Sequence, residues 1–454
     1  MDEFNDSEQA RIAAMETHGL GSKSLSDVRN ELASERNASN AKESAKLSFF
    51  MSTATDIGGG HVNQDDCGVW VHRKDETTGN PLDFVLAVFD GHGRELGQLA
   101  SEVAKESMRV AFAAADTWKG LRASPEETMK TIFSDAHFAI KQVFKDKYLA
   151  AGWQVEERKE GYVTKRPHDG APWTCTHGGT TATVVAILDG HRMIVSNVGD
   201  STALWGGFGN NGASCFKELS AEHSPESVDE YLRCLRSLPE ARAVEEGAAG
   251  PPAIPQLRFV YDAPSFSKNQ CPTVFKRDPM SPKGYVRTEK GSYYKNVRNE
   301  WASLVTTPPY ARFQDALAFT RSLGDLHLQS YGVSYEPETV TYDLFELHKS
   351  AMCAKSTAGS ESVNASVLLV CSDGVWDNWK FGEIVTASMQ QPWIDEVCRK
   401  GDAVEVTNLL MKWNLQLARA HFGSQADNMT AIVCYLTSPL LASPDRGAGR
   451  KIVP

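Results

Sequence analysis

Four aspartates of this chain each lie beside a run of β-forming residues. They are Asp90 at the end of FVLAVFD, Asp200 after MIVSNVG, Asp373 after SVLLVCS, and Asp427 before NMTAIVCYL. Because adjacent strands deliver side chains to one rim of a sheet, we expect these carboxylates to share a site. Carboxylates without His or Cys clusters at ligand spacing favour Mg²⁺ or Mn²⁺ over zinc or copper. The pattern therefore predicts a metal-dependent hydrolase.

The residues after Asp90 add a proton carrier to this site. Gly91 permits the backbone carbonyl to turn inward beside the carboxylate, and His92 titrates near neutral pH, although a structural imidazole is the alternative reading. An aspartate that bridges two ions about 4 Å apart would hold a water for in-line attack on phosphorus. Phosphate-ester hydrolysis is the reaction that such a site serves best.

Composition limits the remaining classes. A hydrophobic fraction of 41% in 454 residues is enough for a substantial core, and a net charge of −11 disfavours nucleic acid or anionic lipid as a partner. The acidic N-terminus and the lack of an eighteen-residue apolar run disfavour secretion and membrane spanning. Nine cysteines without a CxxC pair are typical of buried thiols in a reducing compartment. We expect a monomer in the cytoplasm or nucleus.

Strands and helices alternate along the chain in a way that indicates an α+β fold. Residues 68–73 and 84–90 form one predicted hairpin, and the Asp189-Gly190 pair between two β-branched runs predicts another. Hairpins mean antiparallel sheets. Helical spacing predicts helices at 94–117, 124–148 and about 403–421, which would cover the sheets.

The predicted organisation is one domain at 48–438 between a disordered tail at 1–47 and a C-terminal tail at 439–454. Two segments, about 149–176 and 236–311, are rich in Pro, Gly and charge and read as insertions. A structureless loop of the second length is uncommon in a compact domain. We therefore expect a functional flap or a partly ordered insertion there.

Seven motifs in order carry a resemblance to a known family. They are VFDGHG, GGTTATV, VGDST, LAFTRSLGD, VSYEPE, CSDGVWD and DNMTAIV. This series resembles the PPM family, the metal-dependent type-2C Ser/Thr protein phosphatases. The resemblance implies a four-layer α-β-β-α sandwich, with two packed antiparallel sheets flanked by helices. It also implies two Mn²⁺ or Mg²⁺ ions, a water or hydroxide that bridges them, and a phosphoprotein substrate in signalling.

The resemblance also implies a role for each site residue. Asp90 would bridge both ions and the Gly91 carbonyl would bind one of them. Asp373 and Asp427 would complete the other ion, and Asp65 of NQDD would hold metal through water.

Asp200, together with Asp373, resembles a weaker third-ion site, with Asp377 nearby. His92 corresponds to the general acid that protonates the leaving seryl or threonyl oxygen, a role that contributes about 10² to 10⁴ in rate.

The chain departs from the family at the phosphate-binding arginine. Gly60 stands in the arginine position and Gln64 in that of a glutamate. Loss of the guanidinium removes a clamp of about 1.5 to 3 kcal/mol, for which His61 is a pH-dependent substitute. Two alternatives remain open: a weak or inactive pseudophosphatase that binds phosphoproteins, and a hydrolase of small phosphoesters.

Overall fold

The computed structural model describes residues 47–208, 213–236, 256–264, 267–288, 291–350, 354–355 and 363–439. The predicted tails lie outside these residues except at their inner ends, where Leu47 is buried and Pro439 closes the last strand. Within the described part of the chain, no helix is long and apolar enough to cross a membrane.

Short strands account for most of the elements. In chain order they are β1 Ser48–Asp56, β2 Asp66–Lys74, β3 Pro81–Phe89, β4 Gly91–His92, β5 Gln154–Glu157, β6 Val163–Arg166, β7 Thr174–Cys175, β8 Gly179–Thr180, β9 Ala182–Leu188, β10 Arg192–Val198, β11 Thr202–Phe208, β12 Ser214–Glu218, β13 Arg258–Tyr261, β14 Phe275–Arg277, β15 Tyr285–Arg287, β16 Ser303–Thr306, β17 Ala316–Leu317, β18 Leu323–Gly324, β19 Glu338–Asp343, β20 Ala354–Lys355, β21 Val363–Cys371 and β22 Met429–Pro439.

The helices fall mainly into two groups, after β4 and after β21. They are α1 Gly97–Ala113, α2 Ala115–Ala123, α3 Pro125–Ala150, α4 Val228–Arg236, α5 Leu326–Gln329, α6 Leu344–Ser350, α7 Asp373–Trp376, α8 Phe381–Ser388, α9 Gln391–Lys400 and α10 Val404–Phe422.

Two antiparallel sheets form the centre of the fold. One has the order β1-β22-β21-β11-β12, with β20 also paired to β21, and the other has the order β19-β10-β9-β3-β2. Alternate residues of β3 are buried on opposite sides. Phe84, Leu86 and Val88 contact the other sheet, whereas Val85, Ala87 and Phe89 contact α1 to α3. On the far side, α7 to α10 cover β21 and β22. The predicted four-layer sandwich is confirmed.

The predicted helix at 94–117 is in fact two helices. Ala114 adopts an extended backbone between α1 and α2. The Trp118 indole donates to the Phe112 carbonyl at 2.9 Å, and the Thr117 hydroxyl donates to the Ala111 carbonyl. Because side chains of α2 satisfy these carbonyls, α1 can end there without a capping glycine.

The hairpin predicted at Asp189-Gly190 is present between β9 and β10, where three residues, 189–191, separate the paired Leu188 and Arg192. Asp189 and Gly190 both have positive φ, at 54° and 70°, as a type I′ turn requires. The Asp189 carboxylate also pairs with Arg73 and Arg122 on the surface. This aspartate is thus structural, as the sequence indicates.

Both predicted insertions contain folded structure in their described parts. Residues 149–176 hold the sheet β5-β6-β7, which packs on the core beside α3. The second segment contributes β13 to β16 and a separate apolar cluster that includes Phe259, Val274 and Phe275. These strands have only two to four residues, which is too short for an alternating pattern to be visible in the sequence.

A buried carboxylate fixes α4 beneath the second insertion. Glu230 of α4 receives hydrogen bonds from Arg321 at 2.6 Å, Arg233 at 2.9 Å and the Thr320 hydroxyl. Burial alone would raise the pKa of Glu230, but the hydrogen bond from Arg321 and the charges of both arginines lower it to about 2. Between about pH 2 and pH 4.5, the folded protein therefore keeps the Glu230 carboxylate ionised, whereas the unfolded chain would protonate it.

We predict that Glu230→Gln destabilises the protein by about 3 kcal/mol at pH 7. Since the folded pKa lies below the ordinary value of 4.5, the wild-type advantage is complete above pH 4.5 and declines as the pH falls toward 2. Urea unfolding of both proteins at pH 7, 5, 4 and 3.5 measures this difference. Asp229→Asn, an exposed change on the same helix, is the control and should show no such convergence; a pH-independent Glu230→Gln effect would contradict the prediction.

Candidate metal centre

The aspartates singled out in the sequence all lie at strand ends of the central sheets. Asp65 precedes β2, Asp90 follows β3, Asp200 lies between β10 and β11, Asp373 begins α7 after β21, and Asp427 precedes β22. Because β2 pairs with β3 and β21 pairs with β22, neighbouring strands present these residues in pairs.

The five carboxylates share one buried environment. Burial raises the pKa of Asp90 well above its usual value, and the charges of Asp65, Asp373, Asp427 and Asp200 raise it further. Burial likewise raises the pKa of Asp200 to about 7 and that of Asp65 to about 6. The structure therefore brings together every aspartate that the sequence predicts as a ligand.

Three carboxylate oxygens in this cluster lack a hydrogen-bond donor among the described residues. The Oδ1 atoms of Asp65, Asp200 and Asp373 are buried, and no residue that the structure describes donates a hydrogen bond to them. Buried acceptors are normally paired, and hard oxygen donors suit Mg²⁺ or Mn²⁺. In the described ranges, however, no three His, Cys, Asp or Glu side chains converge on one point as a finished cage. The chemistry and burial of these carboxylate oxygens suit a hard divalent cation. Their arrangement does not define the coordination geometry of such an ion.

Thr181 connects two of the aspartates. Its amide donates to the Asp90 carbonyl at 2.9 Å, and its hydroxyl accepts from the Asp90 amide at 3.1 Å. The same hydroxyl lies 2.8 Å from that of Ser201, next to Asp200. The GGTTATV motif thus holds the end of β3 against the turn between β10 and β11.

Asn428 holds the glycine-rich loop that precedes Asp65. Its side-chain oxygen accepts from the Gln64 amide at 2.7 Å, and its side-chain nitrogen donates to the carbonyls of Ile57 and Val62. A Cβ placed on Gly60 would have no contact closer than 3.6 Å. The position of the missing arginine could therefore accept a side chain.

Ser372 connects Asp65 to the sheet that contains β21 and β22. Its hydroxyl donates to Asp65 Oδ2 at 2.8 Å and accepts from the Thr430 amide at 2.9 Å. Gly91, the predicted carbonyl ligand, packs where a Cβ would lie 2.4 Å from the Gln64 carbonyl oxygen. Glycine is thus required here by close backbone approach.

His92 is held by a residue whose role the sequence did not reveal. Its Nε2 lies 2.6 Å from Asp325 Oδ2, which also accepts from the Ser322 hydroxyl at 2.7 Å. Burial lowers the pKa of His92, but the adjacent Asp325 carboxylate outweighs burial and raises it. Asp325 is the last residue of the LAFTRSLGD motif, and that motif was the available signal in the sequence.

Lys295, from the second insertion, also reaches the cluster. Its ammonium lies 2.8 Å from Glu222, 3.6 Å from Glu300 and 4.0 Å from Asp200. Burial opposes the charge on Lys295, but Glu222, Asp200 and Asp377 raise its pKa. Asp377, predicted near the third-ion site, has its pKa raised to about 7 by burial. Lys295 belongs to none of the seven motifs, so no signal in the sequence indicated its place in this cluster.

This α-β-β-α sandwich, with buried aspartates at its strand ends, has relatives among known proteins. Residues 58–237 match the family model of protein phosphatase 2C. The match confirms the resemblance seen in the motifs, over less than half of the chain.

Two relatives illustrate the relationship. Probable protein phosphatase 2C 61 of Arabidopsis thaliana is 22% identical over 236 residues, which are 52% of this chain and 49% of the relative. The chain thus matches about half the length of that protein. The crystal structure of a serine-threonine phosphatase 2C from Toxoplasma gondii aligns with a TM-score of 0.50 at 16% identity, over 86% of this chain and 95% of that chain. At this identity the structural match supports the fold alone.

We predict that Gly374→Ala disrupts the cluster. A Cβ at Gly374, beside Asp373, would lie 1.9 Å from the Asn428 carbonyl oxygen. Because the obstacle is backbone next to Asp427, relief requires movement of one strand end, and we expect at least about 2 kcal/mol of destabilisation. Urea unfolding measures the loss.

Gly382→Ala is the matched control, since its nearest contact would be an ordinary 3.4 Å. An unchanged stability of Gly374→Ala, equal to that of the control, would show that this close approach does not constrain the site.

Proposed function

We propose that this chain is a metal-dependent protein serine/threonine phosphatase that hydrolyses phosphoserine and phosphothreonine. The observation that carries the proposal is the buried aspartate cluster, in which three Oδ1 atoms have no partner among the described residues, in a chain whose residues 58–237 match the protein phosphatase 2C family model. Solvent-excluded like charges are costly unless a cation neutralises them. Asp65, Asp90, Asp373 and Asp427 would hold two Mn²⁺ or Mg²⁺ ions, together with the Gly91 carbonyl.

Such ions supply charge stabilisation of the phosphoryl group and activation of a water. The chain's own contribution is to fix the donors on rigid strand ends and to exclude bulk water from beneath them. Thr181 and Ser372 hold Asp90 and Asp65 through the hydrogen bonds described above. This preorganisation lowers the cost of assembling the charged site.

His92 is the proposed general acid. In the overall reaction a water oxygen forms a bond to phosphorus, the bond to the seryl or threonyl oxygen breaks, and that oxygen takes a proton. Asp325, 2.6 Å from Nε2, orients the ring and favours its protonated form. The other ring nitrogen, Nδ1, is buried and has no hydrogen-bond partner among the described residues.

The first test measures turnover and metal dependence together. We expect the protein to hydrolyse a phosphothreonine peptide with Mn²⁺ and to lose this activity in EDTA. Asp373→Asn should lower kcat by at least about 100-fold because it removes one anionic donor. Asp116→Asn, on an exposed helix surface, is the control and should retain full activity.

Each alternative function has its own outcome in this assay. Binding of the phosphopeptide without turnover would favour the pseudophosphatase. Hydrolysis of p-nitrophenyl phosphate with no activity on the peptide would favour a small-phosphoester hydrolase. Turnover that persists unchanged in EDTA would reject metal dependence.

A second test concerns the missing clamp at Gly60. Since a Cβ at that position would meet nothing closer than 3.6 Å, we expect Gly60→Arg to lower the KM for phosphopeptide by about 10-fold or more through one charge-assisted contact. Gly60→Gln, similar in length but uncharged, should not. An unchanged KM in Gly60→Arg would mean that another residue already binds the phosphate.

A further inference from the structure

The Asp200 side of the carboxylate cluster contains a lysine from the second insertion. The Lys295 ammonium contacts Glu222 at 2.8 Å and lies 4.0 Å from Asp200 Oδ2. Its side chain is 23% exposed. Because the surrounding groups are carboxylates, one fixed positive charge faces the part of the cluster to which the motifs assign a weaker third ion.

The backbone around Lys295 is built to hold this position. The Lys295 amide donates to the Glu300 carbonyl at 2.7 Å, which closes a turn whose Asn299 has a positive φ of 62°. Within the turn, Asn296 and Arg298 both donate to the Glu300 carboxylate, at 2.7 and 2.8 Å. Lys295 is therefore presented by a cross-linked turn rather than by a free loop.

The same turn is docked on the segment that follows Asp373. The Val297 amide donates to the Asp377 carbonyl at 3.2 Å, and the Arg298 guanidinium donates to the Trp376 carbonyl and stacks on Phe381. These bonds fix the turn relative to α7, which begins at Asp373. The cross-linked turn and α7 thus fix the distance between Lys295 and the aspartates of the cluster.

We infer that Lys295 is a tethered cation that takes the place of a third divalent ion beside Asp200. Divalent ions then bind only on the side of Asp65, Asp90, Asp373 and Asp427. An ammonium and a divalent ion repel each other and compete for the same carboxylate oxygens. The inference rests on the proposed metal centre and specifies how many ions it holds.

The test counts Mn²⁺ ions directly and does not depend on turnover. Electron paramagnetic resonance and calorimetric titration, up to millimolar Mn²⁺, should give two ions per wild-type chain. Lys295→Met should bind one additional, weaker ion, and Lys295→Arg, which keeps the charge, should bind two. Lys283→Met is the matched control, because Lys283 is another insertion lysine that pairs with an aspartate, Asp229, far more exposed.

The outcomes separate this inference from the proposed function. A third ion in the wild type, or the same count in wild type and Lys295→Met, would overturn the role of Lys295 and leave the phosphatase proposal intact. No Mn²⁺ binding at all would overturn the proposed metal centre itself. The wild-type count decides the matter even if Lys295→Met does not fold.

Discussion

Mutual repulsion among buried carboxylates is the constraint on which the rest of this structure depends. Asp90 is surrounded by the charges of four other aspartates, and burial adds to their effect on its pKa. Such a group of like charges in a weakly polar environment is unstable without compensation. The central sheets, the hydroxyls of Thr181 and Ser372 and the insertion turn all act to hold these charges where cations can neutralise them.

The sandwich suits this task because both sheets end at the same rim. Buried residues on alternate sides of β3 and β22 fill the core between the sheets and the two helical layers. A strand fixed on both faces cannot shift its register without exposing apolar side chains. The aspartates that follow or precede these strands therefore occupy fixed positions. Holding them there costs little additional conformational entropy.

In the proposed centre, compensation of the negative charge is divided between two kinds of cation. On one side, the Oδ1 atoms of Asp65 and Asp373 have no donor among the described residues and suit divalent ions. On the other side, Lys295 meets Glu222 and faces Asp200. A lysine is permanently attached to the chain, so its charge does not depend on metal concentration. The second insertion thus contributes a positive charge, that of Lys295, to the carboxylate cluster.

The sequence by itself determined the α+β class, the hairpin turn at Asp189 and the aspartates of the site. These features are local. Strand alternation, the Asp189-Gly190 turn and short motifs can be recognised in the sequence without knowing which strands pair. The sequence misjudged α1, because the break at Ala114 depends on hydrogen bonds from the Trp118 and Thr117 side chains. Only the tertiary structure decided that His92 meets Asp325, 233 residues away, and that Lys295 meets Glu222, 73 residues away. Those contacts depend on how the chain returns over the sheets, and no local pattern of residues encodes that path.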